Sequence, residues 1–150
     1  MKKTVIAALL FPTMAFAGSP TLKAFSAVGT HVENADGVSG LRRGPCTPDD
    51  CEILTRNNSR WTIFGNTVTR QRYLRSEAGK RLPFGLAGVA DKDKSLSIVS
   101  VRAGVTLTRS APRVYDGPVK LQDGTDAILY VKLSPEGAVE EIGVTLGEAE

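Results

Sequence analysis

Residues Leu129 to Leu146 read LYVKLSPEGAVEEIGVTL, and this stretch decides how the rest of the chain is interpreted. Leu129, Val131 and Leu133 alternate with Tyr130 and Lys132, and Ile142, Val144 and Leu146 alternate with Gly143 and Thr145. Each run therefore puts its apolar side chains on one face of an extended strand. Between the runs, Ser134-Pro135-Glu136-Gly137 carries Pro and Gly where a type I turn favours them. The pattern predicts an antiparallel hairpin, with Lys132 on its polar face opposite Glu140 or Glu141.

The same signals recur upstream. Trp61–Phe64 and Thr67–Leu74 flank Gly65-Asn66, a dipeptide suited to a two-residue hairpin turn. Leu96–Val101 and Val105–Arg109 read as strands. Val99, Val101, Ala103, Val105 and Leu107 share one parity, so a single strand kinked at Gly104 would gather them on one face. Val114-Tyr115 and Val119-Lys120-Leu121 are short candidates, and Asp91-Lys92-Asp93-Lys94 reads as an exposed turn. The apolar, glycine-spaced Leu82–Val89 is either a buried loop or a contact surface. No segment keeps a helical period over three turns. The expected fold is all-β and mainly antiparallel, a small sandwich or barrel of about six to eight short strands. Residues 46–150 form its single domain, preceded by an irregular segment at 18–45 in which Leu22–Val32 could make one strand.

Residues 1–17 read as a cleavable export signal. Lys2 and Lys3 precede an uncharged run from Thr4, and Ala15-Phe16-Ala17 places small residues where the peptidase requires them. The run is interrupted by Pro12 and falls short of the roughly 20 apolar residues that span a bilayer. The expectation is cleavage after Ala17, a periplasmic or secreted product, and a chain that does not span the membrane. Losing Lys2 and Lys3 lowers the formal net charge of +3 to one charge above neutral, so a general affinity for polyanions does not follow from composition.

Cys46 and Cys51 suit an oxidising compartment. The Pro48-Asp49-Asp50 turn between them could bring their Cα atoms within the roughly 4.4–6.8 Å that a disulfide needs. A redox pair or a metal site is the weaker alternative, because two sulfurs beside aspartates and one distant His31 do not make a four-ligand set. No metal or cofactor is expected.

Charge is unevenly distributed. Between Ile53 and Arg81 the bases Arg56, Arg60, Arg70, Arg72, Arg75, Lys80 and Arg81 face Glu77 alone, whereas the chain after Val114 is acidic. Guanidinium groups bind carboxylate or phosphate bidentately. Arg56, Arg60, Arg70, Arg72, Arg75 and the neighbouring Tyr73 are therefore the candidate binding residues. The competing expectation is that these arginines pair with the acidic C-terminal strands of the same domain. Catalytic equipment is sparse: His31 is the single histidine, and no nucleophile or phosphate-loop motif occurs. These features point to a non-enzymatic exported envelope protein that binds another macromolecule, a protein or an anionic envelope component, through its Arg-rich hairpin. Nucleic acid is not expected. A cell-surface polyanion binder and a carboxylate-based hydrolase are the alternatives.

Overall fold

The computed structural model of the chain describes residues 20–32, 40–43, 51–55 and 57–147. Eight strands form one antiparallel sheet: β1 (Gly40–Arg43), β2 (Cys51–Thr55), β3 (Arg60–Phe64), β4 (Thr67–Leu74), β5 (Thr108–Ala111), β6 (Val114–Lys120), β7 (Asp126–Leu133) and β8 (Val139–Thr145). Their order across the sheet is β1-β2-β3-β4-β8-β7-β6-β5. Two meanders are thus joined where β4 pairs with β8, and β1 and β5 remain as edges. Between the meanders run a short helix α1 (Arg75–Ala78), two 3-10 segments (Gly79–Arg81 and Pro83–Gly88) and the 12-residue helix α2 (Lys92–Ala103).

The expected all-β sandwich or barrel is therefore corrected to a mixed α/β fold with an open sheet and helices. The error lies at Leu96–Val101, where β-branched residues suggested a strand. Asp91 instead caps a helix, its side chain accepting a hydrogen bond from the Lys94 N–H, and Gly104 ends it in the left-handed conformation at φ 65°. Ser95, Val99 and Ala103 are buried at a spacing of four, while Val101, which a strand would have buried, is 77% exposed. Helix propensity differences of a few tenths of a kcal/mol per residue cannot resist such capping and burial.

Both anticipated hairpins form. Gly65 and Asn66 take φ of 58° and 66°, the primed turn that matches strand twist, between β3 and β4. β7 and β8 pair with Lys132 opposite Glu141, and the Gly137 N–H closes the turn on the Ser134 carbonyl at 3.0 Å. The expected N-terminal strand is instead a 3-10 segment, Pro20–Phe25, and a turn, with only His31 bridging to Thr67. β1 lies inside the segment expected to be irregular.

The disulfide expected between Cys46 and Cys51 rests on a pair that the described residues hold only in part, and Cys51 is not a free thiol. Cys46 lies outside them, and Cys51 is buried at the head of β2. Residues 1–17 of the export signal and Arg56 also lie outside. No helix among the described residues is long and apolar enough to cross a membrane.

The register sorts the sheet into two faces. Tyr73, Leu129, Val131, Leu133, Ile142 and Val144 point inward, where Phe25, Leu82, Leu86 and Val99 from the helical segments complete the core. Leu82 and Leu86 make the apolar loop a buried one. A smaller cluster of Ile53, Ile63 and Val68 lies under the β2–β4 half. The opposite face carries charge in place of a second apolar layer. Gly137 ties the β7–β8 turn to α2: the Ser95 hydroxyl donates to its carbonyl at 3.0 Å, its φ is 96°, and a Cβ there would stand 2.5 Å from the Lys92 nitrogen. Gly137→Ala is expected to cost about 2–3 kcal/mol, seen as a lower urea midpoint at an unchanged slope.

Candidate functional site

The outer face is built by strand register. Arg60 of β3 lies opposite Arg72 of β4, Arg72 opposite Gly143 of β8, and Gly143 opposite Tyr130 of β7. Two arginines facing each other across a sheet repel unless acids separate them. Glu52 of β2 does so, its carboxylate accepting from Arg60 Nη1 at 3.0 Å and from Arg72 Nη2 at 2.6 Å. Glu77 of α1 takes the other edge of Arg60 through Nε at 2.7 Å and through Nη2. The Glu77 hydrogen bond raises the Arg60 pKa against the opposing effect of burial. Arg72 also donates to Glu141 at 3.3 Å, and Lys132 Nζ stands 3.9 Å from the same carboxylate.

Gly143 has a specific task in this arrangement. A Cβ at that position would lie 2.7 Å from the Tyr130 hydroxyl and 2.8 Å from its ring, so the tyrosine occupies the space that a side chain would fill. Tyr130 is 2% exposed, and its hydroxyl donates to Glu141 at 2.5 Å. Burial, reinforced by the negative charge of Glu141, pushes the phenol far above its ordinary range, although Arg70 and Arg72 act the other way. The Arg70 guanidinium carbon sits 5.8 Å and Lys132 Nζ 5.7 Å from the centre of the Tyr130 ring, within cation–π distance.

Arg70 differs from its neighbours. It faces Thr62 and Thr145 across the strands, with no acid opposite, and its buried Nε has no hydrogen-bond acceptor among the described residues.

The structure brings Arg60, Arg70 and Arg72 together on one face and sends Tyr73 and Arg75 elsewhere, while Arg56 lies outside the described residues. Tyr73 points into the core, edge-on to Phe25 with ring centres 5.6 Å apart, its hydroxyl donating to the Ala24 carbonyl at 2.7 Å. Arg75 donates to the carbonyls of Val139, Ala87 and Leu86 at 2.8–3.0 Å, pinning the 3-10 loop to β8. Tyr130, Glu52 and Glu141 were not among the sequence candidates. The Tyr130-Val131-Lys132 alternation places Tyr130 on the polar face and was the available signal. No group of acids, histidines or cysteines among the described residues could hold a metal ion. Compared with known proteins, the chain matches no protein-family model, no curated protein and no solved structure.

Glu141→Gln removes a carboxylate that serves Arg72 and Tyr130 together. The partly exposed partner moderates the usual penalty for breaking a buried pair, and a loss of about 2–3 kcal/mol is expected in urea unfolding. Tyr130, like Tyr73, keeps its proton in the folded state beyond the ordinary tyrosine pKa of about 10. Below that pH folded and unfolded states hold the same proton. Above it the unfolded state releases a proton that the folded state retains, so stability falls as the pH rises. Urea midpoints measured across the alkaline range should show this fall, and Tyr130→Phe should flatten it.

Proposed function

We propose that this is a non-enzymatic exported protein of the periplasm or cell exterior, which binds another macromolecule through the outer face of the β3–β4 hairpin, with Arg70 at its centre. The observation that carries the proposal is the Arg70 guanidinium, held at a tyrosine ring with an unmet donor beside two arginines already paired to acids. Nε itself is buried, so a partner's acid would meet the half-exposed Arg70 at the outer edge of its guanidinium, where a charged hydrogen bond contributes about 1.5–3 kcal/mol. The export signal expected at residues 1–17 supplies the compartment.

A protein partner suits this face better than a polyanion. Around Arg70, the cations Arg60, Arg72 and Lys132 stand against Glu52, Glu77 and Glu141, leaving little excess positive charge to attract phosphates. The same acids are engaged by arginines, an arrangement suited to holding charge in place rather than to proton transfer in hydrolysis.

The test compares wild type, Arg70→Gln and Arg72→Gln, all carrying the native signal. Mass spectrometry of the exported product should show cleavage after Ala17. Arg70→Gln should keep or raise the unfolding midpoint while cutting the yield of a cross-linked envelope partner at least about tenfold. Arg72→Gln should lower stability. Undiminished partner capture by Arg70→Gln would sink the proposal. Binding to lipopolysaccharide that collapses steeply with salt would favour the polyanion reading instead.

A further inference from the structure

On the helix side of the sheet, at the end where the β5–β6 and β7–β8 turns meet α2, a cavity of about 290 Å³ is lined by Lys92, Arg109, Arg113, Tyr115, Ser134 and Glu136, among others. Three of these are cations and one is an acid. On the outer face, Arg60 and Arg72 are each held by carboxylates; here, by contrast, the side chains of Lys92, Arg109 and Arg113 make no hydrogen bond or ion pair among the described residues. Lys92 Nζ stands instead 5.9 Å from the centre of the Tyr115 ring. Asp91, its chain neighbour, has its carboxylate committed to the Lys94 N–H.

The frame around these cations is firm. The Arg113 carbonyl accepts from the Leu133 N–H at 2.8 Å, the Ser134 N–H donates to Ala138 at 2.7 Å, and Gly137 abuts Lys92. Arg113 itself follows Pro112 in the β5–β6 turn with φ 62°, a left-handed conformation in which glycine or asparagine is at ease and a long side chain is strained. A turn needing only to reverse the chain would be better served by either residue. Arginine there spends backbone strain to bring a third positive charge to one cavity, where like charges repel.

We propose that this cavity binds a phosphate monoester, its oxygens received by the guanidinium groups of Arg109 and Arg113 and the ammonium of Lys92. Planar guanidinium groups match phosphate oxygens in pairs, and lysine adds a point charge. The cavity lies at the small end of ligand sites, which fits a compact headgroup rather than a polymer. The site is separate from the Arg70 face, and either can fail without the other.

Titration calorimetry on the full exported chain provides the test, with glycerol 3-phosphate as the soluble probe and phosphatidylcholine vesicles carrying phosphatidic acid as the lipid probe. One equivalent of a phosphate ligand should bind saturably. Arg109→Gln and Arg113→Asn should each weaken it at least about tenfold, and Arg70→Gln should not. Arg113→Asn suits the left-handed turn, so its thermal midpoint should hold or rise as binding falls, which separates a lost ligand contact from lost folding. Binding of glycerol 3-phosphate identifies a soluble ester as the ligand; binding of vesicles alone, still lost in both variants, identifies a lipid headgroup. Absence of saturable binding to both probes, or equal binding by wild type and the two variants, overturns the proposal.

Discussion

The antiparallel pairing of β4 with β8 sets both faces of this protein at once. Arg72 and Glu141, which meet beside it, are 69 residues apart in the chain. Without it, β1–β4 and β5–β8 would be two four-stranded meanders, each with a further edge open to unwanted pairing. Its register sets Tyr73 beside Ile142 and Gln71 beside Val144 on the core side, and Arg72 beside Gly143 on the other. Because side chains alternate with a period of two, a slip of one residue would turn the core residues outward and bury the arginines. The apolar inner face therefore holds the charged outer face in register.

That register turns a charge imbalance along the sequence into local balance in space. Glu52 separates two arginines that would otherwise repel, and Glu141 arrives from β8 to take the far edge of Arg72. Such pairs add little net stability over apolar packing, yet they penalise any arrangement that leaves one partner alone. Gly143 matters for the same reason: the absent side chain makes room for Tyr130, which carries a hydroxyl to Glu141 and a ring to Arg70. Arg70 is the one arginine in this row with threonines rather than acids as its neighbours across the strands.

Both principal hairpins were legible because their determinants lie within a few residues of each other. Alternation at Leu129–Leu133 and Ile142–Leu146 and the Pro135/Gly137 turn sufficed, as did Gly65-Asn66 for β3 and β4. Helix α2 was missed for a physical reason. Val99 and Ala103 fit a strand period of two and a helical spacing of four equally well, and the third buried position is a serine, which weakens an apolar stripe. Ser95 is tolerated inside because its hydroxyl reaches the Gly137 carbonyl, 42 residues away, a partner no local window contains. The Asp91 and Gly104 caps were the signals that could have decided it.

The arginines show the same division. Their concentration before Arg81, and the acidity of the chain after Val114, were plain in the sequence, and so was the possibility that the two would meet. Which arginine would keep an unmet donor was not. That depends on whether an acid or a threonine stands on the next strand, and so on the β4–β8 pairing. The basic cavity at Arg109 and Arg113 was equally hidden, since Lys92 joins it only through the packing of α2 against the β7–β8 turn. Sequence alone determined the strands and turns whose contacts are local, because period and turn chemistry act over a few residues. Tertiary structure decided the helix, the partners of each charge and the two candidate binding surfaces, because those rest on contacts between segments far apart in the chain.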